Sequence, residues 1–260
     1  MIRNLDMERI FLSIIIPCFN EHANIKRGVL GEVRDFLKDQ DFAWEVIISD
    51  DGSTDGSSEL VEREIKNWKN FRLLKIEHGG KPMALWNGVK ASNGLWILFT
   101  DMDQSTPINE LTKLLPFVKK GCKAVIGSRG TGRKKFPFYR RVGALVFMNL
   151  RRALLLSNIK DTQCGFKLFD RNSLIKYFPR LSFFKRKIET KGWLVSSWDV
   201  EFLHILDKNG ISIKEVTVEW DDKDISQSKG GYISKYFRES RDMLREIITV
   251  KLNDVRGQYN

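Results

Sequence analysis

Short apolar runs that alternate with helical patterns, several of them stopping at an acidic residue, constrain this chain more than any other feature. Leu12-Ser13-Ile14-Ile15-Ile16 reads as a buried strand ending at Pro17, and Val46-Ile47-Ile48 as a second ending at Asp50-Asp51. Phe71 to Ile76 and Leu95 to Thr100 read as two more, and Ala124-Val125-Ile126 as a shorter one before the turn Gly127-Ser128-Arg129-Gly130. Between them the spacing predicts helices over Ala23 to Lys38, Ser57 to Trp68, Lys81 to Ala91 and Ile108 to Lys119. Near-continuous apolar strands in strand–helix alternation predict an α/β fold, a mostly parallel sheet with helices on both faces. Such sheets bind ligands at the carboxyl ends of their strands. Asn20-Glu21, Asp50-Asp51 and Asp101-Met102-Asp103 all fall just past strand ends, on one edge.

The second half is less regular. Phe138 to Asn158 is apolar with paired arginines, Trp198 to Lys208 reads as a helix, and Ile211 to Val218 alternates as a strand does. Tyr232 to Leu252 carries apolar residues at the spacing of one helix face. No internal repeat, low-complexity tract or linker divides the chain, so one domain over residues 1–260 is expected.

Charge and cysteine usage narrow the function classes. No stretch approaches the roughly 18 apolar residues of a membrane span, and Met1 to Ile10 mixes both signs of charge, so secretion and membrane insertion are not expected. Cys18, Cys122 and Cys164 are odd in number and far apart, and His22, His78 and His204 are scattered. Neither a disulfide framework nor a His/Cys metal site is encoded, and any metal must be held by carboxylates. The net charge of +11 comes from one block: between Glu110 and Asp161 there are thirteen Lys and Arg and no acidic residue. An anionic partner selects such a block, and so does a solvated basic surface.

Asp101-Met102-Asp103 is the main candidate for chemistry. Two carboxylates flanking one residue at a strand end suit Mg²⁺ or Mn²⁺, which prefer hard oxygen ligands and leave positions for phosphate oxygens. A lone D-x-D is a weak signal. Asp50-Asp51-Gly52-Ser53-Thr54-Asp55-Gly56-Ser57 adds to it: glycines permit a tight turn, Asp55 and Ser57 cap the next helix, and Asp50 is left to accept from a base N–H or a ribose hydroxyl.

With these residues in view the chain resembles the family 2 glycosyltransferases of GT-A fold. The resemblance rests on Ile14-Ile15-Ile16-Pro17-Cys18-Phe19-Asn20-Glu21, the Asp50–Ser57 segment, Asp-Met-Asp and Gly127-Ser128-Arg129. Asp161-Thr162-Gln163-Cys164-Gly165-Phe166-Lys167-Leu168-Phe169, followed by Trp198-Asp199-Val200-Glu201, looks like its dolichyl-phosphate β-glucosyltransferase branch.

The resemblance implies a nucleotide-sugar-binding half over 11–130 and an acceptor-side half over 131–260. It implies that Pro17, Phe19, Glu21, Ile48 and Asp50 surround the uridine of a UDP-sugar. Asp101, Met102 and Asp103 would line the sugar diphosphate, with Asp103 the main metal ligand and Asp101 on ribose or metal. Arg129 would face phosphate and Lys81 approach the donor. His78-Gly79-Gly80-Lys81-Pro82 departs from the family's usual loop there, and Ser105 stands where mannosyl relatives keep Gln. Asp199 and Glu201 would orient a phosphate acceptor, and with a hydroxyl acceptor Asp199 is the first candidate for the base.

The basic block then acquires a role. Arg140-Arg141 and Arg151-Arg152 are eleven residues apart, so on a helix both pairs project from one face roughly 16 Å apart and suit a polyprenyl or dolichyl phosphate at a membrane surface. The expectation is an inverting, metal-dependent hexosyltransferase, peripheral on the cytoplasmic face of a membrane. The branch usually carries a membrane anchor, so a membrane-protein partner or homo-oligomer is a further expectation. The alternatives are a glycan or surface-polysaccharide hydroxyl as acceptor and, more remotely, a non-enzymatic nucleic-acid-binding protein. The last leaves both Asp clusters unexplained, and no nucleic-acid partner is expected.

Overall fold

The computed structural model describes residues 9–130, 147–185, 198–223 and 232–259. Seven strands form one sheet in the order β3-β2-β1-β4-β6-β5-β7. They are β1 (Leu12–Cys18), β2 (Trp44–Asp50), β3 (Phe71–Lys75), β4 (Trp96–Phe99), β5 (Ala124–Ser128), β6 (Lys167–Asp170) and β7 (Ile213–Thr217). Pairings β1–β2, β1–β4, β2–β3 and β5–β7 are parallel, while β6 runs antiparallel between β4 and β5.

The helices are α1 (His22–Lys26), α2 (Val29–Lys38), α3 (Ser57–Ile65), α4 (Lys81–Ala91), α5 (Leu111–Lys119), α6 over 147–154, α7 (Arg171–Tyr177), α8 (Trp198–Lys208) and α9 (Tyr232–Val255). They cover both faces, and β1 shows why a continuous apolar run was needed. Ile14 and Ile16 pack with Val29, Val33 and Val61 on one face, while Ile15 packs with Leu85, Val89 and Phe99 on the other. Side chains alternate along a strand, so a sheet buried twice must be apolar at every position, and each such residue contributes about 1.5–3 kcal/mol.

The expected elements recur with three differences. The helix expected over Ala23–Lys38 is broken at Gly28, whose φ of +90° no helical residue adopts. The helix expected from Ser57 to Trp68 ends at Ile65, and the first turn of the one expected from Ile108 is a 3₁₀ turn. β6 was not anticipated, and it matters most for the site. Because β6 is antiparallel, its first residue, Lys167, lies opposite Phe99, at the edge where the parallel strands end.

Candidate functional site

The order β3-β2-β1-β4 reverses direction between β1 and β4, the place where an open α/β sheet leaves a crevice. Three loops meet there. The loop after β1 is stitched to the loop after β2: Asn20 N–H donates to Ser53 Oγ at 2.9 Å, Thr54 N–H to Asn20 Oδ1 at 2.8 Å, and Glu21 N–H to Ser57 Oγ at 2.9 Å. Asp55 accepts from the Ser57 and His22 N–H groups at 3.0 and 3.1 Å. Burial pushes its carboxyl up, but these bonds and the Ser57 hydroxyl hold it below the usual value. Asp50, 2% exposed, accepts the hydroxyls of Ser53 and Ser58 at 2.5 Å each.

The neighbouring acid has a different task. Asp51 is fully buried and accepts the N–H groups of Gly79 and Gly80, both at 2.8 Å, with His78 Nδ1 2.9 Å away. Desolvation nonetheless raises its carboxyl above the ordinary range. These bonds hold the loop before α4, and so fix where Lys81 begins that helix. His78 in turn stacks on Phe19, ring centroids 4.5 Å apart and planes 23° from parallel.

From the first turn of α4, Lys81 Nζ reaches Asp101 Oδ1 at 2.5 Å. Burial works against charge on both groups, yet each holds the other's charge: Asp101 is pulled below the usual carboxylate range and Lys81 lifted above the usual amine range. On its other side Asp101 meets Gly165. A Cβ on that glycine would lie 1.9 Å from Asp101 Oδ2, so only hydrogen fits there. Asp103 Oδ1 accepts from Ser105 N–H at 2.8 Å, and the Asp103 carbonyl is bonded by the Arg27 guanidinium. Arg27 also holds the Lys223 carbonyl at 2.8 Å, and Asp221 N–H donates to Ser105 O at 2.9 Å, so segment 221–223 closes over this turn.

Beyond Gly165, Lys167 is 1% exposed. Its Nζ bonds the Cys164 carbonyl, lies 3.9 Å from Asp199 Oδ2 and sits 5.5 Å from the Trp198 ring centroid. Burial lowers the Lys167 amine despite Asp199, and burial raises the Asp199 carboxyl despite Lys167. Lys81, Asp101, Lys167 and Asp199 are thus four coupled charges along one edge. Arg129, just past the end of β5, is bonded to Asp161 and lies 5.6 Å from the Trp220 ring.

Several expected roles change. Ile48 is fully buried and Met102 is 2% exposed; both pack in the core, because a strand residue and the middle of a turn point inward here. Pro17 lies within β1 and is likewise buried. Arg129 was expected to face phosphate, but the Nε and Nη2 edge of its guanidinium is held by Asp161. Glu201 takes no part in the cluster: it accepts from Ser182 N–H at 3.1 Å, Ser182 Oγ at 2.9 Å and Tyr259 OH at 2.6 Å. Burial, together with the bond to Glu201, pushes the Tyr259 phenol up.

Arg151 does not project from a helix surface. It is 2% exposed, donating to Thr162 Oγ1 at 2.6 Å and to the Ile159 and Lys160 carbonyls at 2.9 and 2.7 Å. The turn after α6 needs that guanidinium to satisfy its carbonyls. Arg152 is exposed and bonds the Ser157 carbonyl. Arg140 and Arg141 lie outside the described residues.

Lys167 and Asp51 were not singled out by sequence, although Lys167 stood inside a quoted string. Asp101 and Asp103 carry the hard carboxylate oxygens that would suit Mg²⁺ or Mn²⁺. Among the described residues no three His, Cys, Asp or Glu gather as a metal cage, so a cation held there would need phosphate or water to complete its shell.

Comparison with known proteins agrees with this geometry. The sequence model of glycosyl transferase family 2 matches residues 13–178. The dolichyl-phosphate beta-glucosyltransferase of Dictyostelium discoideum is 31% identical, over 96% of this chain and 77% of that protein. The Saccharomyces cerevisiae protein of the same description is 30% identical, over 98% and 78%. Among solved structures, glucosyl-3-phosphoglycerate synthase from Mycobacterium tuberculosis, in complex with Mn²⁺, UDP-glucose and phosphoglyceric acid, superposes with a TM-score of 0.63. It is 18% identical and covers 93% of this chain and 80% of that one. Mannosyl-3-phosphoglycerate synthase from Rubrobacter xylanophilus gives 0.65 at 14% identity, over 95% and 75%. At such identities the structural likeness establishes the fold, a GT-A α/β sheet.

Proposed function

Because the chain belongs to glycosyl transferase family 2, we propose that it moves glucose from UDP-glucose to a polyprenyl or dolichyl phosphate, with inversion at the sugar's C1. The observation that carries this reading is the packing of Gly165 on Asp101. The string by which the chain resembles the glucosyl-lipid branch is built onto the carboxylate proposed to meet the donor. The similarity to dolichyl-phosphate beta-glucosyltransferases supports the same acceptor.

Phe19, stacked on His78, and Asp50, held by two serines, border the nucleoside, with Glu21 at the start of α1. Asp101 and Asp103 would hold Mg²⁺ or Mn²⁺ beside the diphosphate. The ion, when bound, supplies positive charge to the leaving group. Lys81 adds a second positive charge to the same group. Arg129, braced by Asp161, keeps the β5 end and the 161–167 segment in register with Asp101.

A phosphate monoester has a second pKa of about 6, so the acceptor arrives largely as an oxyanion and needs no base. It attacks C1 from the side opposite the leaving diphosphate, the charge developing on the sugar being oxocarbenium-like. Asp199 is then an orienting residue at the acceptor side, its charge balanced by Lys167. Among the described residues no helix is long and apolar enough to cross a membrane. We place the enzyme at a membrane surface, on its cytoplasmic face, where the exposed Arg152 is available to the lipid phosphate.

The test is release of UDP from UDP-glucose with Mn²⁺ or Mg²⁺, with and without polyprenyl phosphate in detergent, and mass spectrometry of the lipid. Metal-dependent and lipid-dependent release with a hexosyl-phospholipid product, absent from Asp103→Ala, is expected. Release that ignores the lipid sinks the lipid acceptor, and no release from any nucleotide sugar sinks the donor site.

A further inference from the structure

We propose that Lys81 is a place-holder for the divalent cation on Asp101, so that metal and nucleotide diphosphate bind as a pair. This rests on the donor-site reading above and adds to it a coupling between the two ligands.

Three observations carry it. First, Lys81 Nζ already occupies Asp101 Oδ1 at 2.5 Å, with only 17% of the lysine side chain exposed against 37% of the aspartate's. A second cation on that carboxylate would share it with an ammonium that has little water around it, and Lys167 and Arg129 add positive charge to the same surroundings. Second, the chain's own ligands are too few. Mg²⁺ takes about six oxygens, and Asp101 and Asp103 are joined by no third His, Cys, Asp or Glu among the described residues. Third, the backbone before Lys81 is anchored while its side chain is a long, rotatable stem. Asp51 fixes the N–H groups of Gly79 and Gly80 immediately before it, whereas a four-carbon stem carries the ammonium.

A diphosphate resolves all three conditions at once. Its oxygens complete the metal's shell, and its negative charge gives Lys81 somewhere to go when it leaves Asp101. Without the diphosphate, Lys81 keeps the carboxylate neutralised and disfavours the lone metal. Lys81 is therefore a positioning residue whose charge couples the two ligands, and by linkage the coupling is the same in either order.

The experiment is Mn²⁺ titration followed by electron paramagnetic resonance on the full chain, without nucleotide and with saturating UDP. Wild type is expected to bind Mn²⁺ weakly alone and more tightly with UDP. Lys81→Met should bind Mn²⁺ alone roughly tenfold tighter than wild type, the effect of removing one charge beside a carboxylate, and should gain less from UDP. Lys81→Arg, which keeps the charge, should stay near wild type. Unchanged or weaker Mn²⁺ affinity in a folded Lys81→Met or Lys81→Gln protein overturns the inference while leaving the donor site standing. So does wild-type protein that binds Mn²⁺ as tightly alone as with UDP, a result that needs no variant. Wild type that binds no Mn²⁺ even with UDP overturns the donor-site reading, and this inference with it.

Discussion

Arg129 and Asp161 meet as a fork: Nε to Oδ2 at 2.7 Å, Nη2 to Oδ1 at 2.8 Å, and the Arg129 backbone N–H to Oδ2 at 3.0 Å. The side chains are 16% and 8% exposed, so water can replace little of what each charge gives the other. The pair ties the end of β5 to the start of the segment that runs through Gly165 to Lys167. Asp161→Ala leaves the guanidinium buried without its partner and should cost about 3–5 kcal/mol. Urea denaturation of Asp161→Ala, of Arg129→Met and of the double variant carrying both checks this. The double variant should lose less than the two single losses added together.

Gly165→Ala tests the site without touching a charge. Its methyl must displace the Asp101 carboxylate, because the three nearest atoms to the built Cβ are Oδ2 at 1.9 Å, Cγ at 2.6 Å and Oδ1 at 2.9 Å. Asp101 then loses its alignment with Lys81 while the core around β6 is left alone. UDP-forming activity should fall by about a hundredfold, the scale of an ångström-sized misplacement, with the thermal midpoint shifted by only a few degrees. A fully active Gly165→Ala enzyme would remove Asp101 from the proposed machinery.

Much of this arrangement was legible in the sequence, for reasons that are local. Ile14, Ile15 and Ile16 can be buried together only in a sheet covered twice, and Lys81–Ala91 forms a helix over the expected residues because Gly80 and Pro82 mark its start. The break at Gly28 had a signal too, a glycine after Lys26-Arg27, where a helix commonly ends. What stayed hidden depends on contacts between distant residues. β6 is four residues long and begins with a lysine, so no periodicity announces it, yet its antiparallel entry brings Lys167 and Gly165 to Asp101. Asp51 looks like any turn acid until Gly79 and Gly80, 28 and 29 residues later, arrive with their N–H groups. Arg151 and Arg152 are identical in type and adjacent, and only the fold decides that one turns inward.

That divergence gives a paired prediction. Arg151 serves Thr162, Ile159 and Lys160 from a buried position, and burial lowers its pKa despite Asp161 and Asp199 nearby. Arg151→Ala should cost about 3 kcal/mol or more, as the loss of several bonds to a buried charge does. Arg151→Lys should recover little, since one ammonium cannot reproduce the planar fork. Arg152→Ala should stay within about 0.5 kcal/mol of wild type. Chemical denaturation of the three proteins decides it, and equal losses at both positions would mean that the inward turn of Arg151 is wrong.

The packing of α8 against α9 should carry a pH signature of known sign. His204 is 3% exposed, with Asp254 Oδ2 at 3.3 Å and the Tyr259 ring edge-on at 5.8 Å. Lys208 and Lys251 lie on the same Asp254 carboxylate at 2.9 and 3.5 Å, and Asp207 adds a more distant charge. Burial outweighs Asp254 and holds the imidazole below its ordinary value of 6.5. A depressed histidine is neutral in the folded chain while its unfolded counterpart gains a proton as pH falls through 6.5, so the unfolded state binds more protons in that window. Stability contributed here is therefore present above the unfolded value and lost as pH falls toward the folded one. Asp51 and Asp199, both raised, act with the opposite sign near the carboxylate range. The difference between two proteins isolates the histidine from them. The urea midpoint of wild type should drop more between about pH 7.5 and about pH 5.5 than that of His204→Leu, in which the titrating group is gone. Identical drops in the two proteins would show that His204 is protonated, or solvated, in the folded chain.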